Sequence, residues 1–268
     1  MCYLLSQIDD NFRQDFVQWM QKEKFSPITI AKDMGYIKSI CTFASRKKLP
    51  VNSEVLHWEF IKPKQTTTPP ILTIKEIEII QNTVYPHDYL ENAKDWLIVG
   101  VYTGARVSDL LNFDARNIID GNILTFTQKK IQNQTKDAEE YIYLFPQVLD
   151  VLEKRNGQFP RKISSQRLNE YIKTICKIAG INKKMMGGIK DKEQGGHGKK
   201  ITKEYEKWEL ITTHTFRRSF TTNFISVLGK ENIKTQTGHK TDEMVNLYNK
   251  TEKIDKVRNI AKLLESKL

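Results

Sequence analysis

Three short stretches carry the side chains most able to do chemistry. In Thr212-Thr213-His214-Thr215-Phe216-Arg217-Arg218 a His and an Arg stand three residues apart. Phe216, Phe220, Phe224 and Val227 form one apolar stripe, which predicts a helix from about Thr215 with Thr213 or His214 as its cap. His214 and Arg217 then share a surface at the helix N-terminus, where free backbone N–H groups favour an anion. Taken alone, the pair also fits two solvated surface residues. In Tyr102-Thr103-Gly104-Ala105-Arg106-Val107-Ser108-Asp109-Leu110, the Gly permits a sharp turn and close approach to a ligand. Arg106 follows on the first turn of a helix with Asp109 three residues on, which by itself also describes an ion pair worth about 0.3–0.5 kcal/mol. The third stretch is Thr237-Gly238-His239-Lys240, with Tyr248 nine residues after His239. Met244 and Tyr248 lie four apart on a predicted short helix, and a lone Tyr there reads as a half-buried aromatic with its hydroxyl at the surface.

The elements that must position these residues fall into two parts. Phe12, Phe16, Trp19 and Met20 predict an amphipathic helix near 10–23. Ser26-Pro27 begins a second, in which Ile30, Met34, Ile37, Cys41 and Ala44 are spaced four, three, four and three, reaching about Arg46. A third element covers 53–60. Lys62 to Pro70 holds three Pro and three Thr without periodicity and reads as an extended linker. Thr73-Ile74-Lys75-Glu76 then has capping-box form. The division expected is 1–65 for a small helical domain, 66–72 for the linker and 73–268 for the larger domain.

In the larger part, helices are expected near 73–83 and 90–102, through Val107, Leu110 and Leu111, and near 147–155 and 164–179. Ile123–Gln128 and Glu140–Phe145 read as paired strands, joined by a connection longer than usual for a hairpin. Residues 183–207 carry eight Lys, four acidic residues and five Gly, and read as a polar insertion, part loop and part strand. The fold class is therefore mainly α with a small antiparallel β-sheet.

Composition bounds the partners. The 268 residues include 43 Lys plus Arg against 32 Asp plus Glu, a net charge of +11. Such an excess can neutralise phosphates along a nucleic-acid-facing groove. Apolar residues at 39% and aromatics at 10% exclude disorder throughout and low-complexity chains. No apolar run approaches the roughly 18 residues of a membrane span. Three widely spaced Cys (Cys2, Cys41, Cys176) match no metal-ligand pattern and argue against a disulfide framework, which suits a reducing cytoplasm. The N-terminus has no basic region before its short apolar run, unlike a secretory signal.

Taken together and in order, the three stretches resemble the boxes of the tyrosine recombinase (phage integrase) family. Residues 103–110 match Thr-Gly-x-Arg-x-Ser-Glu/Asp-Leu, His214 and Arg217 match His-x-x-Arg, and Gly238, His239 and Tyr248 match Gly-His followed by the nucleophilic Tyr. The wording is most similar to integrases of mobile elements in Bacteroides-type bacteria. The resemblance implies a core-binding (SAM-like) DNA-binding domain at 1–65 and a catalytic DNA breaking-rejoining domain at 73–268. It implies that Tyr248 attacks a phosphodiester, giving a 3′-phosphotyrosyl link and a free 5′-hydroxyl, with no metal or other cofactor. Arg106 and Arg217 would clamp the phosphate, since the guanidinium fork grips two oxygens and stays charged. His214 would take the Tyr248 proton, and His239 would bond the phosphate or support the site. Asp109 would orient Arg106 or a His.

The family's general acid is a Lys on the strand-to-strand connection. Thr127-Gln128-Lys129-Lys130 points to Lys130, although Ile131-Gln132-Asn133 departs from the family's wording and leaves Lys129 and Lys136 open. The implied partners are double-stranded DNA recombination sites, accessory DNA-bending proteins and three further copies in a tetrameric synapse of a protein monomeric when free. The tail from Thr251 to Leu268, with Ile254, Val257, Ala261 and Leu264 in a stripe, would dock on a neighbouring copy. The implied location is the bacterial cytoplasm, on the nucleoid. Many integrases of mobile elements carry a further arm-binding domain; with the core-binding helices expected this near its start, the chain is expected to be either a short form or a fragment of a longer protein. A cleavage-deficient DNA-binding relative and a type IB topoisomerase-like relaxing enzyme are the alternatives.

Overall fold

The computed structural model describes residues 4–60, 67–127, 139–190, 200–239 and 241–249. Two compact units emerge, one of Met1–Thr67 with Met186–Lys203, the other of Thr68–Met185 with Glu204–Leu268.

In the first unit, α1 (Asp10–Lys22) and α2 (Pro27–Arg46) begin as their caps dictate. Asp9 accepts the Phe12 N–H, and Ser26 accepts that of Thr29 ahead of a first turn opened by Pro27. Met20, Met34, Cys41, Val55 and Trp58 make the small core, and the Trp58 indole donates to Asp10 at 2.8 Å. The element expected at 53–60 is a single 3-10 turn, Glu54–His57, which ends where Val55 and Trp58 have both reached the core.

The second unit is organised around α4 (Asp88–Thr103), whose residues are buried almost without interruption from Leu90 onward. The helices α3 (Ile74–Asn82), α6 (Pro146–Lys154), α7 (Ser165–Ile178) and α9 (Thr213–Thr237) pack around it. Glu76 and Thr73 form the expected capping box of α3. The helix expected through Leu111 is only α5 (Val107–Leu110), because the chain turns at Leu111 to bury Phe113. β1 (Ile118–Ile119), β2 (Ile123–Thr127) and β3 (Glu139–Tyr143) form an antiparallel sheet in that order, with Ile123 opposite Tyr143 and Thr127 opposite Glu139. β3 is therefore an edge. The insertion expected at 183–207, whose Met186–Lys203 belongs to the first unit, pairs β4 (Lys184–Lys190) and β5 (Lys200–Glu206) as a second, two-stranded sheet; α8 (Lys207–Leu210) follows.

Helix α9 departs from expectation twice. It begins at Thr213 with Thr212 as its cap, so His214 lies inside the first turn and is not a cap. It also breaks at Gly229, where φ 72° and ψ 169° are not helical. Val227, two residues before the break, is 80% exposed and leaves the stripe of Phe216 and Phe220. The last described helix is α10 (Asp242–Tyr248).

Candidate active site

The site begins where α4 ends. Gly104 closes that helix in the left-handed conformation (φ 65°), and its N–H bonds the Gly100 carbonyl. A Cβ at Gly104 would stand 2.9 Å from both Phe220 Cδ1 and Thr237 Cγ2, so only glycine fits. The turn leaves the Gly104 carbonyl facing α9 and delivers half-buried Arg106 as the cap residue of α5, on which Asp109 is buried.

Arg217 lies on the first segment of α9 and is 4% exposed. Its Nη1 donates to the Gly104 carbonyl at 3.0 Å and its Nε to His239 Nε2 at 3.0 Å. The break at Gly229 makes the second contact possible. It turns the chain into a second helical segment, which ends at left-handed Gly238 and delivers His239 to Arg217. Thr237 Oγ1 donates to the Ile233 carbonyl at 2.5 Å and lies 2.6 Å from His239 Nδ1. Since that hydroxyl proton is already committed, Nδ1 carries the imidazole proton and Nε2 is the acceptor. Burial first, then the charges of Arg217 and Arg106, push the His239 pKa down to about 3. His239 is thus a neutral acceptor that orients Arg217.

Burial and the charge of Arg106 also push Arg217 down, to about 10, partly offset by Tyr248, Asp109 and Glu140. It remains a cation at neutral pH. Its Nη2 is buried and has no hydrogen-bond partner among the described residues.

Tyr248 arrives on α10. Thr241 caps that helix, and Asp242 reaches Lys234 at 3.0 Å and Lys230 at 3.8 Å, tying α10 to the segment after the break. Val245 is fully buried with Phe220 and Ile233. Thr222 Oγ1 donates to the Tyr248 carbonyl at 3.3 Å. The half-buried Tyr248 ring stands 4.9 Å from the His239 ring and 5.8 Å from the Arg217 guanidinium carbon.

The structure thus gathers Arg217, His239 and Tyr248 by contact, and Arg106 and Asp109 by charge. His214, one turn before Arg217 on the same helix, is exposed as a residue. Loss of solvent around its ring, then Arg218 and Arg217, lower its pKa, so it is a neutral proton acceptor at pH 7. Among the described residues no hydrogen bond joins it to Tyr248. Lys129, Lys130 and Lys136, and the tail from 251 to 268, lie outside the described residues.

Sequence reasoning missed Thr237, whose only signal was a hydroxyl two residues before a His, and Arg218, a half-buried cation that Tyr248 acts on by charge. No cluster of His, Cys, Asp and Glu able to hold a metal occurs among the described residues, and none of their helices is long and apolar enough to cross a membrane.

No protein-family description and no curated protein matches this sequence. Solved structures match it at low identity. One is the integrase of the Tn1549 transposon in complex with transposon right end DNA, with a TM-score of 0.64 at 13% identity over 98% of this chain and 87% of that one. The chain has the tyrosine recombinase fold. The same fold is shared with lambda integrase as a dimer bound to a core site, with a TM-score of 0.58 at 18% identity over 92% of this chain and 82% of that one. It is also shared with the XerH site-specific recombinase bound to its difH substrate, with a TM-score of 0.56 at 14% identity over 96% and 70%.

Proposed function

We propose that this protein is a site-specific tyrosine recombinase that cleaves and rejoins duplex DNA for a mobile genetic element. One observation carries the reading: a buried guanidinium, held on two sides by Gly104 and His239, keeps its Nη2 without a partner among the described residues, beside the Tyr248 ring. A buried cationic donor without an acceptor is costly, and a non-bridging phosphate oxygen is the acceptor that suits it. Arg106 supplies the second positive charge. As negative charge grows on the phosphorus oxygens, the two Arg stabilise it without any metal.

In the reaction Tyr248 Oη attacks phosphorus and its proton passes to His214, which is neutral and able to accept it. The P–O bond to the 5′-oxygen breaks, and that oxygen takes a proton from a Lys between β2 and β3, for which Lys130 is the first candidate. The 3′-phosphotyrosyl bond conserves the bond energy, and a 5′-hydroxyl of a second strand reverses the steps. His239 holds Arg217 throughout.

The domain of residues 1–65 would clasp DNA from the other side of the linker 66–72, and 73–268 would do the chemistry. Recombinase-fold proteins in complex with DNA, including a lambda integrase tetramer bound to a Holliday junction, support a working assembly of four copies on two sites, in the bacterial cytoplasm. Accessory DNA-bending proteins would shape the longer sites.

The test is covalent trapping on a nicked duplex bearing a site selected by binding from a randomised pool. Wild type should give a denaturant-resistant protein–DNA adduct and Tyr248→Phe none. An adduct that survives Tyr248→Phe removes Tyr248 from the mechanism.

A further inference from the structure

Thr222 is unused by the mechanism above, yet it touches the peptide of the nucleophile. Helix α10 ends at Tyr248, and Asn249 is extended (φ −71°, ψ 115°), so the helix does not run on through it. The Tyr248 carbonyl is then one of the last carbonyls that a helix leaves without a donor of its own. Thr222 Oγ1, from the first segment of α9, supplies one at 3.3 Å. The start of α10 is held by Asp242 on Lys234, and its middle by Val245 against Phe220 and Ile233. Thr222 meets its end, at the residue whose side chain does the chemistry. A bond to that carbonyl fixes the Tyr248 peptide, and with it the direction in which the ring leaves the backbone.

The turn of α9 that carries Thr222 is itself anchored. Three residues earlier, fully buried Ser219 accepts the Leu72 N–H at 2.8 Å, and next to Thr222 the Asn223 Nδ2 donates to the Leu72 carbonyl at 2.9 Å. Leu72 is fully buried in the main core of its unit. Both polar groups of one core residue are thus held by the turn 219–223, which opposes rotation of the helix about its axis. Arg217 lies five residues, or about 7.5 Å along that axis, before Thr222. Its guanidinium is set by Gly104 and His239, contacts that do not pass through the Thr222 hydroxyl. We infer that Thr222 is a positioning residue for the nucleophile, holding the Tyr248 peptide at a fixed place on the helix that carries the phosphate clamp. The inference rests on the recombinase reading above.

The test uses the full chain and the nicked duplex above. Thr222→Val keeps the shape and removes the hydroxyl. At saturating DNA it should form the adduct about 3- to 10-fold more slowly, as loss of one hydrogen bond lets the helix end fray, with the DNA concentration for half the rate unchanged. Thr222→Ala should behave alike, and Thr222→Ser should recover most of the rate. Far-UV circular dichroism checks that all of these variants are folded. A second reaction takes Tyr248 out of the comparison. In Tyr248→Phe, hydrogen peroxide is added as a small nucleophile that needs Arg106 and Arg217 but no tyrosine. Adding Thr222→Val there should leave strand cleavage as fast as in Tyr248→Phe alone. Equal slowing of both reactions would overturn the inference, because Thr222 would then act through Arg217. No slowing of adduct formation, or a loss that Thr222→Ser shares, would overturn it too, and the comparison with Thr222→Ser decides alone if peroxide cleaves nothing. Wild type giving no adduct would instead bring down the recombinase reading and this inference with it.

Discussion

Two of the buried cations of the second unit, Lys207 and Arg217, are treated in opposite ways. Lys207 Nζ sits 2.6 Å from both oxygens of Glu76, and the same carboxylate accepts the Thr73 N–H at the start of α3. Its charge is matched on the spot. Arg217 donates to a neutral imidazole and a backbone carbonyl, has a second cation nearby, and keeps an Nη2 with no partner among the described residues. The first arrangement is what a fold needs to bury a charge. On the function proposed above, the second gives up stability to keep a charge available for a ligand that brings its own negative charge.

The comparison can be broken most directly by removing each cation. Arg217→Leu should lower the cleavage rate by about 10²- to 10³-fold, the usual cost of losing a preorganised donor to the transition state. It should change the urea midpoint little, since relief of an unmatched buried charge offsets the freed acceptors, by less than about 1 kcal/mol net. A collapse of stability in that variant would make Arg217 a structural residue. Lys207→Met should do the reverse. It should cost about 3 kcal/mol in urea unfolding by stranding Glu76, while cleavage per folded molecule stays at the wild-type rate. Adding Glu76→Gln should restore most of the loss, and failure to do so would mean the pair is not what holds α3 to α8.

Acid sharpens the contrast. The folded pKa of His239 is about 3, below the ordinary imidazole value of 6.5, and that of His214 is also lowered. Between pH 6.5 and about 3 the unfolded chain therefore binds a proton that folded His239 refuses, and stability falls as pH falls. His239 alone contributes a slope of up to about 1.4 kcal/mol per pH unit. His239→Gln should flatten that slope in urea titrations run across this window, and an unchanged slope would argue against a neutral, buried His239. The smallest effect is expected for Thr237→Val, which keeps the shape and removes the acceptor of the His239 Nδ1 proton. It should cost about 1 kcal/mol and slow adduct formation severalfold, and a variant as fast and stable as wild type would show that the tautomer needs no such anchor.

Much of this was legible in the chain. Ser26-Pro27 and Thr73-x-x-Glu76 start helices where their chemistry says they must, and the spacing of Ile30, Met34, Cys41 and Ala44 names the buried face of α2. The short β-rich runs around Leu124 and Ile142 pair as their patterns suggest. Illegible were features that depend on distant packing. Nothing local stops α5 at Leu110; the burial of Phe113 does. Nothing in Phe216 to Val227 announces the break at Gly229, because backbone freedom alone names no conformation.

By itself the sequence determined which chemical groups are available and in what order: two Arg and two His, each beside a glycine turn or in the first turns of a helix, and a Tyr on the short helix that follows, because turn and cap preferences are local. Only the tertiary structure decided what each group is free to do. Arg217 meets Gly104 across 113 positions and His239 across 22, and those two contacts leave Nη2 as the nitrogen without a partner among the described residues. Hydrogen-bond partners are assigned by packing, so the difference between a buried charge that is matched and one kept in readiness is written in three dimensions.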